Sequence, residues 1–251
     1  MERRGQMSVF FIVAIVIVAI VIAFVLIRNG TISNVFRQNA ESRAGFSGEV
    51  EDINGRISNC LTNVSAEALD VAGAQGGYYH KPEHYLEING TFYTYYAFQG
   101  LSKSPNLAII EDELANYVDD NSNRCAVNNS EVYVKYDKSH TKVMINNNFT
   151  YFSVDFPITI EKGNQTSRID KFDLRIASKI KDMINVSGWM SDEYNKNSTF
   201  FCVSCLEELA REKDLYVEMI RYNNDTTVIM LQTNITSSPR LFIFLNKYGK
   251  K

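Results

Sequence analysis

The 251-residue chain carries none of the short signatures that mark common catalytic sites. It has no Gly-x-Ser-x-Gly nucleophile elbow, no His-Glu-x-x-His, no phosphate-binding P-loop and no Gly-x-Gly-x-x-Gly. Histidine is scarce, with three in all. His80 and His84 have the i, i+4 spacing of a helical metal pair. Pro82 between them and Gly76-Gly77 ahead of them disfavour a helix there, so a solvated loop is expected. Asp119-Asp120-Asn121 lacks the glycine that a calcium loop requires. Glu207-Glu208 reads as a solvated helix face. Net charge is only −3 and no basic patch stands out, which argues against a nucleic-acid partner. No metal, cofactor or enzymatic activity is expected from these residues. No internal repeat is present.

Charge, glycine and proline are also missing from residues 7–27, a run of 21. At ~1.5 Å per residue, a helix of that length spans roughly 30 Å, the thickness of a bilayer's hydrocarbon core. A cleaved secretory signal is shorter and ends in small residues; this run ends Phe24-Val25-Leu26-Ile27-Arg28. Arg3 and Arg4 precede it and only Arg28 follows at once. Positive charge stays on the cytoplasmic side. The sequence therefore predicts a single-pass plasma-membrane protein with a cytoplasmic N-terminus, lipid around residues 7–27 and the remainder outside.

The outer part contains all four cysteines, an even number that suits disulfides in an oxidising compartment. It also contains ten Asn-x-Ser/Thr sequons, at Asn29, Asn63, Asn89, Asn128, Asn148, Asn164, Asn185, Asn197, Asn224 and Asn234. Given 24 Asn and 33 Ser plus Thr, chance predicts about three. The excess points to a glycosylated surface, with Asn29 set against the membrane and the other nine as acceptors.

Residues 28–48 read as a polar stalk, helical in part. Val50, Ile53, Ile57, Leu61, Val64 and Leu69 mark one helix face, which should end near Gly73–Gly77. Eight aromatics crowd residues 78–98, where core packing competes with a glycan or peptide groove. A strand is expected at 91–98, then a helix with Pro105 at its first position. Alternation predicts strands at 132–136 and 152–160, with Pro157 requiring an edge or a bulge. Lys162-Gly163-Asn164 reads as a hairpin turn into a strand at 167–174. Ile176, Ile180, Met183 and Ile184 read as a helix face closing near Gly188. A helix at 202–212 and strands at 215–222, 226–232 and 241–246 complete an α+β class, with helices packed on mostly antiparallel strands. The predicted division is a cytoplasmic N-terminus or signal leader at 1–6, a span at 7–27, a stalk at 28–48 and an extracytoplasmic domain of one or two lobes at 49–251.

Cys60 lies on the apolar face of its helix, and Cys125 lies near the face of the helix before it. A Cys60–Cys125 bridge is favoured. Cys202-Val203-Ser204-Cys205 has three readings: a local structural disulfide, a redox pair activated by a helix N-terminus, or a metal-bound or unpaired pair.

Arg3-Arg4-Gly5-Gln6-Met7-Ser8 followed by the span resembles the archaeal class III signal peptide of type IV pilin-like proteins. The resemblance implies cleavage between Gly5 and Gln6 by a prepilin-type peptidase, and a retained helix as anchor or filament core. Phe10 stands where the family pattern has Glu, so the resemblance carries anchoring further than filament assembly. Asn59-Cys60-Leu61, Gln75-Gly76-Gly77-Tyr78, residues 152–160 with Pro157 and residues 239–244 are similar to surface proteins predicted in small-genome (DPANN-type) archaea. These resemblances imply a class and a compartment; the function expected is a non-enzymatic binding, adhesion or envelope component, with an extracellular ligand or self-association as its unknown partner. A filament subunit and a membrane-tethered thiol oxidoreductase using Cys202 and Cys205 are the alternatives.

Overall fold

The structure, a computed structural model, describes residues 31–127, 130–196, 202–233 and 240–247. The Gly5–Gln6 processing site and the 7–27 span expected from the sequence lie outside these residues. Among the described residues, no helix is long and apolar enough to cross a membrane. The chain divides into two compact units, Met1–Asp52 and Ile53–Lys251.

Helix α1 runs without interruption over Thr31–Ala74. The stalk expected to be only partly helical is thus helical from Thr31 onward. Gly45, Gly48 and Gly55 lie inside the helix with open space where a Cβ would be. Each costs roughly 1 kcal/mol relative to Ala without blocking helix geometry. From Ile53 on, α1 buries Ile53, Ile57, Leu61, Val64, Ala68, Leu69 and Ala72, the 3–4 spacing of one face. Its end is a Schellman motif. The Gly77 N–H donates to Ala72 O at 2.7 Å and Gly76 N–H to Gly73 O at 3.2 Å. Gly76 and Gly77 take φ of 69° and 88°, the left-handed conformation that glycine enters without strain.

One sheet has the order β1-β2-β10-β9-β8, with the short β3 also on β2. Its strands are β1 (Tyr85–Ile88), β2 (Thr91–Phe98), β3 (Leu101–Ser102), β8 (Leu215–Arg221), β9 (Thr226–Thr233) and β10 (Leu241–Lys247). The Asn89-Gly90 turn joins β1 to β2 with both residues at positive φ, the two-residue hairpin that strand twist favours. β2 and β10 pair in parallel, Tyr95 opposite Leu245; the other pairings in both sheets are antiparallel. Tyr96, Phe242 and Phe244 are buried on this sheet, with the Tyr96 and Phe244 rings 4.6 Å apart.

The second sheet is built on β6 (Phe149–Lys162) and β7 (Gln165–Ala177). β4 (Tyr133–Tyr136) and β5 (His140–Ile145) lie end to end along the other side of β6. Phe152, Val154, Phe156, Ile158 and Ile160 alternate inward and are buried. β6 is therefore a central strand, and Pro157 occupies a bulge. The register against β7 shifts between Asp155 and Ile158, and Pro157 O accepts from Asp137 N–H at 3.0 Å. A residue without an N–H fits where the ladder is already broken.

Helix α2 (Leu107–Asn121) packs on β5, and a 3-10 turn, Ser122–Cys125, follows it. α2 starts two residues later than Pro105 predicts. Asn106 is the N-cap, its side chain accepting from Ile109 N–H at 2.9 Å, which satisfies a donor that proline could not. Ile176 belongs to β7 and not to a helix, since the β6 pairing continues as far as Ala177. Helix α3 (Ile180–Lys196) passes through Gly188, because Met183, Val186, Ser187, Met190, Ser191 and Tyr194 keep its buried face continuous. Helix α4 (Val203–Glu212) packs on β8. β1, β3 and β5 have no counterpart in the sequence reading.

Candidate functional site

Cys60 and Cys125 form a disulfide with Cα atoms 5.5 Å apart, joining α1 to the 3-10 turn after α2 across 65 residues. The turn, and not an extension of α2, brings Cys125 inward. Arg124 Nη1 donates to Glu67 Oε2 at 2.9 Å beside the bridge. Cys202 and Cys205 form a second, local disulfide with Cα atoms 5.3 Å apart. Cys202 is the N-cap of α4, and its Sγ accepts from Cys205 N–H at 3.2 Å.

The histidines do not converge. His80 Nδ1 lies 3.0 Å from Glu113 Oε2, which also accepts from the N–H groups of Tyr79 and His80. That carboxylate, on α2, closes the loop leaving α1. The His84 ring stacks on Phe98 with centroids 4.7 Å apart, and His140, on β5, lies opposite Asp155 of β6. Among the described residues, no group of three or more acidic, histidine or cysteine side chains is placed to hold a metal. Of the aromatic cluster at 78–98, Phe92, Tyr95 and Tyr96 are buried in the core.

Six of the predicted acceptor asparagines lie among the described residues, and all six are exposed: Asn63, Asn89, Asn148, Asn164, Asn185 and Asn224. Asn29, Asn128, Asn197 and Asn234 lie outside them. Asn89, Asn148, Asn164 and Asn224 sit in the turns that join β1 to β2, β5 to β6, β6 to β7 and β8 to β9. Asn63 and Asn185 sit on the outer faces of α1 and α3.

The hydroxyl two residues on behaves differently from site to site. Thr166 is exposed and Thr91 half-buried. Ser65, Thr150 and Ser187 are 0% exposed and Thr226 is 1% exposed. Ser187 Oγ donates to Ile184 O at 2.9 Å, and Thr226 Oγ1 to Asp225 Oδ1 at 2.9 Å. Among the described residues, Ser65 Oγ and Thr150 Oγ1 are buried without a hydrogen-bond partner. A buried hydroxyl left unpaired costs about 1–3 kcal/mol.

A shallow groove that the sequence reading did not name crosses the solvent face of the second sheet. It has a volume of ≈ 450 Å³, and its walls are Lys142, Ser153 and Asp173 on one side and Met144, Tyr151 and Arg175 on the other. Ser153 Oγ donates to Asp173 Oδ1 at 2.8 Å. This bond and Lys171 hold the Asp173 carboxyl below the usual carboxylate range. The Arg175 guanidinium lies 3.4 Å from the centre of the Phe149 ring, a cation–π contact. The outward half of the β6 alternation was the signal available for it, but strand pairing was needed to set the three strands side by side.

No family model, no curated protein and no solved structure matches this chain.

Proposed function

We propose that this chain is a glycosylated cell-surface protein, anchored by residues 7–27 with its C-terminal domain outside, that serves as a non-enzymatic binding, adhesion or envelope component. The observation that carries the reading is the exposure of all six described acceptor asparagines, four of them at turns. Two disulfides, with no free cysteine among the described residues, suit an oxidising compartment. The pilin-like leader adds a prepilin-type peptidase as processing partner, with Gln6 as the first mature residue. Mass spectrometry of the protein from cell envelopes tests all parts together. The expected result is an N-terminus at Gln6, glycans on sequon asparagines and no free thiol. Recovery from the soluble fraction with unmodified asparagines and reduced cysteines overturns the reading. Antibody label in fibres extending from cells would make the protein a filament subunit; label confined to the envelope excludes that form.

A second reading, a thiol oxidoreductase, draws on the position of Cys202 and Cys205. Cys202 Sγ already accepts a backbone N–H at the start of α4, an interaction that stabilises a thiolate. It predicts a low-pKa thiol after mild reduction, followed by loss of that reactivity in Cys202→Ser. An unchanged redox assay in that variant removes it.

A further inference from the structure

Asn-x-Ser/Thr is a rule about two side chains, the acceptor amide and the hydroxyl two residues later. A transferase that requires the hydroxyl must reach it, so a sequon is open only while both groups are accessible. In a helix, residues i and i+2 point to different faces. Asn63 and Asn185 therefore face outward while Ser65 and Ser187 are fully buried. Thr150 lies on the inward face of β6 and Thr226 at the buried start of β9. Only two described sequons differ. Asn164 and Thr166 are both exposed at the β6–β7 turn, and Asn89 is exposed with Thr91 half-buried at the β1–β2 turn.

A second observation points the same way. Ser65 Oγ and Thr150 Oγ1 are buried and make no hydrogen bond among the described residues. Alanine or valine would pack there without an unsatisfied polar atom.

We infer that the described sequons fall into two classes: Asn89 and Asn164 accept a glycan in the folded protein, whereas Asn63, Asn148, Asn185 and Asn224 accept one only before their segments fold. The inference rests on the glycoprotein reading above. The donor is a polyprenyl-phosphate-linked oligosaccharide. The Asn carboxamide nitrogen bonds to the anomeric carbon of the donor sugar and loses one proton to a base. The bond from that carbon to the phosphate oxygen breaks, and the lipid phosphate leaves with the electron pair. Once α1 forms, Ser65 turns inward and the Asn63 sequon closes; a glycan already attached there remains on the exposed face.

The test uses full-length chain made without glycans, either native with both disulfides or reduced and unfolded. Each form is incubated with a membrane oligosaccharyltransferase and its lipid-linked donor, and site occupancy is read by peptide mass spectrometry. In the native form, occupancy at Asn89 and Asn164 should exceed that at Asn63, Asn148, Asn185 and Asn224 at least tenfold. In the unfolded form, all six should be modified to similar extents. Thr166→Ala, at an exposed turn, should abolish modification of Asn164 in both forms. Native protein modified at Asn63 or Asn185 as readily as at Asn164 overturns the inference. Native protein modified nowhere, while the unfolded form is modified at all six, also overturns it for the two open sites. An unfolded form modified at no sequon sinks the glycoprotein reading itself, and the inference with it.

Discussion

Three buried hydroxyls separate contributions that burial alone would merge. Ser65 has no partner inside α1, so Ser65→Ala removes an unsatisfied polar atom and installs a better helix former. We expect stabilisation of about 1 kcal/mol, seen as a higher denaturant midpoint at unchanged slope, together with loss of any glycan on Asn63. Ser187, already bonded to Ile184 O, should show no such gain. Tyr96 is the opposite case. Its hydroxyl donates to Gly76 O at 3.1 Å, and burial pushes the phenol well above its ordinary value of 10.0. A folded tyrosine that cannot ionise stabilises the native state fully below about pH 10; above that the unfolded chain releases the proton and the stability is lost. Tyr96→Phe should cost about 1–2 kcal/mol at neutral pH and lose less stability than the parent between about pH 10 and 11. Parallel alkaline unfolding curves for the two proteins would show that other groups dominate.

The C-terminal end of α1 is the most constrained element junction. A Cβ at Gly73 would lie 2.3 Å from Leu241 O, a backbone atom of β10 that cannot rotate away. Thr94 Oγ1 donates to Gln75 O, and Tyr96 OH to Gly76 O, so the same turn also meets β2. Gly73→Ala should therefore destabilise by about 2–3 kcal/mol, measured by chemical denaturation. Gly48→Ala, facing open space in the same helix, should stabilise by up to about 1 kcal/mol. Two substitutions of identical chemistry are thus expected to have opposite signs because one glycine touches a strand and the other touches nothing.

At the scale of the molecule, the two disulfides contribute unequally. Cys60–Cys125 spans 65 residues and Cys202–Cys205 spans three. The chain-entropy model assigns about 4 kcal/mol to the long loop and about 1.5 kcal/mol to the short one. Replacing Cys60 and Cys125 by Ser should lower the melting temperature well beyond the effect of replacing Cys202 and Cys205. The long bridge joins α1 to the 3-10 turn after α2, and α2 in turn packs on β5 of the second sheet. The short bridge only closes the first turn of α4.

Local periodicity by itself determined the apolar face of α1 from Ile53, the β6 alternation, the glycine stop after Ala74 and the sequons. Each of these is written within a few residues. Tertiary structure decided what depends on partners distant in sequence. Thr141-Lys142-Val143-Met144-Ile145 is a strand because β6 offers it a ladder, and Ile176 remains in β7 because Thr150 stands opposite it. Gly188 does not end α3, since the helix has a buried face on both sides of it. The exposure of an asparagine at a turn could be anticipated from sequence. Whether the hydroxyl two residues later faces solvent or core could not, because helix phase and strand register become physical only when one face finds something to pack against.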